Sequence, residues 1–258
     1  MSTFLVTLGV AAGLMALLWL LSLPLRNASI VDIFWGLGFA VIAWTSHAFA
    51  GDRSPRAWLV CVLVTVWGAR LAVHLARRNI GHGEDYRYRQ MRETHGARFP
   101  LVSLGTVFLL QAVLMWLVSW PVQAVHVTGT VVPIGVMDGI GVALWAVGLT
   151  FEAVADAELA AFRRRADSKG RVLDRGLWRY SRHPNYFGDF LVWWGFGAIA
   201  VAAGAWWAIA GSLLMTVLLL KVSGVALLES TIAERRPAYR AYAARTSAFF
   251  PWPPRPGT

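Results

Sequence analysis

Residues 3–24 read TFLVTLGVAAGLMALLWLLSLP, an apolar run without one ionisable side chain. Coiled as a helix rising 1.5 Å per residue, a run of this length matches the roughly 30 Å hydrocarbon core of a bilayer. Six more runs follow: Ile30–Ala50, Ala57–Ala76, Leu104–Val125, Val132–Ala153, Phe187–Trp207 and Ile209–Leu228. In lipid each span must satisfy its own backbone polar groups, so helices are the economical choice. The expected fold class is all-α, a polytopic membrane protein with seven transmembrane helices. No basic segment precedes the first run, so it is expected to stay as a helix and not to act as a cleaved leader.

Composition agrees with this reading. Of 258 residues, 57% are hydrophobic and 15% are charged, whereas soluble chains carry about 25% charged residues. A disordered chain is excluded by the hydrophobicity, and a soluble globule would have to hide too much apolar surface. The net charge of +10 raises nucleic-acid binding as a class, and the placement of the charges answers it. Twenty of the 24 basic residues fall in the odd-numbered connections and the tail, and Arg53 and Arg56 follow the second span. Lys and Arg favour the cytoplasmic side, so the N-terminus is expected outside and the C-terminus in the cytoplasm. Charge sorted this way reflects topology, and no nucleic-acid partner is expected. Membrane lipids are the expected surroundings, with Trp58, Trp120, Trp206 and Trp207 near span ends as an interfacial belt.

An ionisable side chain within a span is costly and usually has a partner or a cavity. Asp32, Arg70, Asp138, Glu152, Asp156, Glu158, Lys221 and Glu229 are in this position. Asp138, on the side away from the basic loops, reads as a cap. Glu152, Asp156 and Ala160 recur at every fourth position and share one helical stripe, with Arg163 one position round. Cys61 lies in an apolar run and reads as core. His74 and His82 have no ligand spacing with other candidates, so no metal is expected.

The segment Gly176-Leu-Trp-Arg-Tyr-Ser-Arg-His-Pro-Asn-Tyr-Phe-Gly-Asp189 precedes the sixth span. Pro184 suits a first helical turn. Arg179, Arg182 and His183 put cations beside a helix N-terminus, which itself attracts anions. Gly188 permits close approach by a ligand or another helix. The bland alternative is a basic linker meeting lipid phosphate.

This segment resembles the C-terminal signature of the membrane steroid 5α-reductases, the sterol C14 and C7 reductases and their bacterial relatives. Isoprenylcysteine carboxyl methyltransferases carry a related Arg-His-Pro element. Asp32-Ile-Phe-Trp-Gly36, Trp67-Gly-Ala-Arg70, Glu84-Asp-Tyr-Arg-Tyr88 and Arg236-Pro-Ala-Tyr-Arg-Ala-Tyr242 look like a bacterial branch described as membrane oxidoreductases related to the 5α-reductases. The resemblance implies a single integral membrane domain over 1–258 in a bacterial inner membrane. Helices one to four (1–125) would serve the substrate, and 126–258 would hold NADPH on the cytoplasmic side. Asn185 matches the family's cofactor-binding Asn, and Asp189 the acidic residue near the nicotinamide amide. Arg179, Tyr180, Arg182, His183 and Tyr186 are expected along the cofactor. Asp156 and Arg163 match an Asp and an Arg after the fifth span, and Tyr239 and Tyr242 are expected to close over it from the tail. Glu152 stands where the 5α-reductases have Asn.

NADPH and S-adenosylmethionine differ in charge. Arginines beside a helix N-terminus suit phosphates, which guanidinium groups pair in bidentate fashion. The methyltransferases typically end with a paired acidic motif after the last span, and here Glu229 is followed by Ser230. The expected activity is therefore NADPH-dependent reduction of the C=C bond of a hydrophobic enone, a 3-oxo-Δ4 steroid entering from the bilayer. The alternatives are an S-adenosylmethionine-dependent membrane methyltransferase and a non-catalytic lipid-binding protein. Reduction of an enone requires an acid near the carbonyl oxygen. The 5α-reductases use a Gln-Glu pair and a Tyr for this; here Val31 and Ile33 flank Asp32, and Trp67 replaces the Tyr. Asp32, kept protonated by burial, with Tyr88 or Tyr86 as the substitute phenol and Arg70 as an orienting cation, is the expected catalytic group. Trp35, Phe39, Trp193, Trp194 and Phe196 are candidates for the substrate wall or, more simply, for lipid-facing and core aromatics.

Overall fold

The computed structural model describes residues 2–128, 133–168, 170–222, 225 and 238–255. Every regular element among them is helical, and no strand occurs beyond an isolated bridge between Ser181 and Ser247. Five helices among the described residues are long and apolar enough to cross a membrane. They are α1 (Thr3–Leu25), α2 (Ile30–Ala50), α3 (Pro55–Asn79), a continuous helix over Tyr86–Val118 and α8 (Val136–Arg163). The Tyr86–Val118 helix is made of α4 (Tyr86–His95), α5 (Phe99–Ser103) and α6 (Leu110–Val118), joined through a 3-10 turn and a π-turn. Two shorter helices, α7 (Trp120–Val127) and α9 (Pro184–Ala202), and α10 (Ile209–Val217) complete the apolar part, and α11 (Ala238–Arg245) lies in the tail.

Two helices exceed their sequence expectation. The fourth begins at Tyr86 and not at Leu104, because Asp85 caps it by accepting the Arg87 N–H (3.0 Å) and Arg, Gln, Met and Glu in its first turns are strong helix formers. The Val136–Arg163 helix runs ten residues past Ala153, carrying Asp156, Glu158 and Arg163 out of the apolar run. Asp138 lies in its first turn and accepts the Gly135 N–H (2.9 Å), a cap as expected. Glu229, Lys169, Arg235 and Arg236, together with most of the run beyond Val222, lie outside the described residues.

The chain forms two compact units. The first comprises Met1–Ile134 and Ala200–Gly211, the second Gly135–Ile199 and Ser212–Thr258. In the first, α2 and α3 pack closest where Gly36 faces Gly68. A Cβ on Gly36 would stand 2.7 Å from the Gly68 carbonyl oxygen. Phe39, Ile42, Trp67, Phe108 and Met115 fill the core. One buried polar chain links α1 to α7: the Thr7 hydroxyl donates to Gln123 Oε1 (2.6 Å), and Gln123 Nε2 donates to Ser119 Oγ (2.7 Å). The outer surface remains apolar. Leu17, Leu20 and Leu21 on α1, Val62 and Val66 on α3, and Leu110 and Val113 on α6 are exposed, as expected of helices that face lipid.

The segment before α4 is fastened to the α1–α2 turn. Glu84 Oε1 accepts the Ala28 N–H (2.8 Å), and Ser29 Oγ accepts the Asp85 N–H (2.6 Å). Arg92 holds Glu84 from below with two bonds, Nε to Oε2 (3.0 Å) and Nη2 to Oε1 (2.8 Å). Burial pushes the Glu84 carboxyl up, but the bonds from Arg92 and Ala28 outweigh it and leave its pKa below the ordinary 4.5. Asp85 behaves alike: burial raises it, and the bonds from Arg87 bring it below 3.8.

In the second unit α8 and α9 cross at two glycine pairs, Gly141 with Gly195 and Gly148 with Gly188. A Cβ on Gly188 would lie 2.5 Å from the Gly148 carbonyl oxygen. Gly188 therefore serves the approach of another helix, one of the two uses its sequence position allows.

Gly36→Ala is expected to destabilise the protein by about 1–3 kcal/mol through overpacking, read as a lower midpoint of thermal unfolding in detergent. Gly9→Ala is the control: nothing lies within 4 Å of its Cβ position, and its midpoint is expected to hold or rise slightly. A pH series tests the Glu84 clamp. Both carboxylates have folded pKa values below their unfolded ones, so their contribution is complete above about pH 4.5 and fades as pH falls through the lower folded values. Glu84→Gln is expected to cost about 1–2 kcal/mol at pH 7, between an exposed and a buried ion pair. The deficit should shrink below pH 4; a deficit that is constant with pH would refute the clamp.

Candidate functional site

Each unit contains a cluster of polar side chains. In the first the centre is Asp32, in the first turn of α2. Tyr88 donates its phenol to Asp32 Oδ1 (2.8 Å), and Arg87 Nη2 donates to Oδ2 (3.0 Å). Arg87 also bridges to Asp85 through Nε (3.0 Å), so one guanidinium ties the cap residue to the carboxylate inside α2. The Tyr88 side chain is nearly fully buried, and Gln111 Nε2 approaches its oxygen at 3.5 Å. Of the expected catalytic residues, Asp32 and Tyr88 are thus in direct contact. Arg70 is half-buried on α3, and Tyr86, the other candidate phenol, is exposed at the start of α4.

Arg87 and Gln111 were not anticipated. Arg87 lies inside the Glu84–Tyr88 motif, next to Tyr88 and two residues after the cap Asp85, and that motif is the available signal. Gln111 is an amide in an otherwise apolar span, a signal of the same kind as Asp32 itself.

In the second unit, α8 brings Glu152 and Asp156, both buried, beneath the segment Gly176–Asp189. Asn185 Nδ2 donates to Asp156 Oδ1 (3.2 Å), while its own Oδ1 accepts the Tyr186 N–H (3.1 Å). Glu158 holds the start of the segment by accepting the Leu177 N–H (3.0 Å). Gly176 is in the left-handed region (φ 59°), and its Cβ position is filled by the Glu158 carboxylate, so glycine is required there twice over. Trp178 Nε1 donates to the Ala155 carbonyl (3.1 Å). His183 is buried and stacks on Tyr186, with ring centroids 5.6 Å apart. Asp189 is half-buried one helical turn after Asn185. Arg163, Arg179 and Tyr180 are exposed, and Arg182 is half-buried.

The tail wraps this segment. The Arg182 N–H donates to the Ser247 carbonyl (2.9 Å), Ser181 Oγ to the Phe249 carbonyl (2.7 Å), and the Trp252 N–H to the Tyr180 carbonyl (3.0 Å). Tyr242 is buried, and its hydroxyl donates to the Trp178 carbonyl (2.5 Å). Burial holds that phenol well above the ordinary tyrosine value, so it stays neutral. Tyr239 packs against it, ring centroids 5.6 Å apart. Of the two tyrosines expected over a cofactor, Tyr242 braces the segment at the Trp178 carbonyl and Tyr239 packs on Tyr242. Phe187, Phe190, Phe249 and Phe250 cluster beside them.

Among the described residues no group of three or more His, Cys, Asp or Glu is placed to hold a metal ion. Cys61 is buried, with His126 Nε2 3.7 Å from its sulfur.

No solved structure matches the chain. An uncharacterized protein of Schizosaccharomyces pombe (strain 972 / ATCC 24843) is 28% identical, over 91% of this chain and 75% of its own length. A family model described as "Protein of unknown function (DUF1295)" matches residues 18–246, from late in α1 to one residue past α11. With helices of membrane-spanning length and a match over most of its residues, the chain belongs to this family, a family of membrane proteins.

Proposed function

We propose that the protein is an NADPH-dependent reductase of the C=C bond of a hydrophobic enone, with a 3-oxo-Δ4 steroid as the substrate class that its resemblance to the steroid 5α-reductases implies. The observation that carries the reading is the Tyr88–Asp32 pair, a buried phenol of the polar helix α4 and a carboxyl of the apolar helix α2, 2.8 Å apart. A proton-handling pair in such surroundings is costly to keep without a use.

NADPH, when bound, supplies the hydride that adds to the β-carbon. The residues of the second unit fit such a group: Asn185 is a carboxamide fixed by Asp156, and Arg179, Arg182 and His183 surround the N-terminus of α9. In the first unit, the Tyr88 proton turns to the substrate's carbonyl oxygen. Asp32, holding a proton of its own, donates to the phenol oxygen behind it, so no phenolate is left beside a carboxylate. Gln111 steadies the phenol, and Arg87 fixes Asp32 through Oδ2.

The proposed topology has seven spans, adding α9 and the helix that begins at Trp206 to the five long apolar helices. The N-terminus is outside, and the cofactor side is cytoplasmic, in the inner membrane. The support is the sorting of basic residues into alternate connections. α9 opens with Pro-Asn-Tyr-Phe-Gly-Asp, so its apolar part is short.

The test uses the full chain purified in detergent. NADPH is expected to bind, and S-adenosylmethionine is not; the reverse would overturn the reductase reading in favour of a methyltransferase. Tyr88→Phe is expected to lower enone reduction by about 10²–10⁴-fold with NADPH binding retained, whereas Asn185→Ala should weaken NADPH binding itself. Turnover unchanged in Tyr88→Phe would remove the proton-donor assignment.

A further inference from the structure

The second unit contains a cleft of about 370 Å³ formed almost wholly by the tail, with Arg182, Arg245, Thr246, Ser247, Trp252 and Arg255 on its walls. The volume falls within the range of small-molecule sites, roughly 300–1,000 Å³. Its chemistry is one-sided. Three arginines line it, and the Asp174 carboxylate, paired with Arg245, offsets one of the three charges. Two hydroxyls add donors, and the Trp252 indole, 70% exposed, offers an open aromatic face.

The cleft is also held in shape. The Arg255 N–H donates to the Arg245 carbonyl (2.9 Å), the Thr246 N–H to the Tyr242 carbonyl (3.0 Å), and the Trp252 N–H to the Tyr180 carbonyl (3.0 Å). Arg182 Nη1 reaches the Ala243 carbonyl (3.4 Å). Each wall is therefore fixed by main-chain bonds to another part of the same unit. Arginine donors arranged around a rigid concavity suit a dianionic phosphate, which accepts several charge-assisted bonds at once. An exposed indole beside them suits a flat base, by stacking.

We propose that this cleft binds a phosphomonoester carried by an aromatic base, namely the 2′-phosphoadenosine end of NADPH. The assignment rests on the reductase reading above and deepens it: Arg255 and Trp252 become the residues that distinguish NADPH from NADH. The same phosphate chemistry is offered by an anionic lipid headgroup, so the experiment separates the two sources.

Binding of NADPH, NADH and 2′,5′-ADP is measured calorimetrically on the full chain in neutral-lipid nanodiscs, for wild type, Arg255→Gln and Trp252→Ala. Wild type is expected to prefer NADPH over NADH by at least tenfold and to bind 2′,5′-ADP in competition with NADPH. Arg255→Gln should weaken NADPH by about tenfold, the loss of one charge-assisted contact, and NADH by less than twofold. Trp252→Ala should weaken both nucleotides, because both carry the adenine. Dinucleotide binding with the same NADPH-to-NADH ratio in wild type and Arg255→Gln would overturn the cleft assignment and leave the reductase reading standing. Absence of all dinucleotide binding by wild type would overturn both. Adding phosphatidic acid to the nanodiscs identifies the lipid source: a phosphatidic acid affinity lost in Arg255→Gln, with nucleotide ratios unchanged, would also overturn the assignment.

Discussion

A carboxyl group placed on an apolar helix is costly unless its oxygens find hydrogen-bond partners, and the α4 end of the first unit is arranged around that requirement. Asp32 meets it with Tyr88 on Oδ1 and Arg87 on Oδ2. The two donors are adjacent in sequence, in the first turn of one helix, so this helix has to start where it does. Asp85 provides the start as its cap, and Glu84, clamped by Arg92 and the Ala28 N–H, fixes where the cap stands. One half-buried acid thus accounts for four residues of a connection that carries no apolar pattern.

The second unit answers a different constraint. Between helices in lipid there is no hydrophobic gain from association, and close backbone approach supplies dispersion contacts instead. Gly141 and Gly148 on α8 meet Gly195 and Gly188 on α9, each pair seven residues apart, so the register of the two helices is fixed at two points. That register decides the polar contact beyond it. Asp156 lies two turns past Gly148 on the same face, and Asn185 one turn before Gly188, which brings the carboxamide to the carboxylate at 3.2 Å. A single Cβ at Gly148 or Gly188 would shift the pair without touching either polar residue.

Much of this was legible in the sequence. Apolar runs gave the helical class and the first three spans to within a few residues, because α1, α2 and α3 are bounded by turns with proline, serine or glycine. Asp32 stands out as an ionisable side chain inside an apolar run, and the Asn185 segment by its density of cations. What the apolar pattern could not show is where a helix continues after leaving lipid. Tyr86–His95 and the last ten residues of α8 are amphiphilic or polar, and only the cap at Asp85 and the contacts of Asp156 and Glu158 reveal them as extensions. The bond from Tyr88 to Asp32 spans 56 residues of chain, a separation that no periodicity encodes. Tyr242 shows a second limit: its hydroxyl bonds the Trp178 carbonyl 64 residues away in the chain, a contact that its position in the tail motif does not encode.

The surplus of arginine illustrates why counting charges and reading geometry answer different questions. The sidedness of a membrane protein depends on how many Lys and Arg residues lie in short connections, and any arrangement of them serves. An arginine that is needed for sidedness alone therefore has no reason to be held. Arg245 is held by Asp174, and the main chain of Arg255 is bonded to that of Arg245. Arg182 is anchored through its own N–H to Ser247. The ordering entropy of the loop that carries these residues opposes this arrangement, and charge placement returns nothing for it. A rigid cationic concavity beside an open indole is what ordering produces in addition to sidedness, and it is that excess order, more than the net charge of +10, that favours the tail for the anion site we propose.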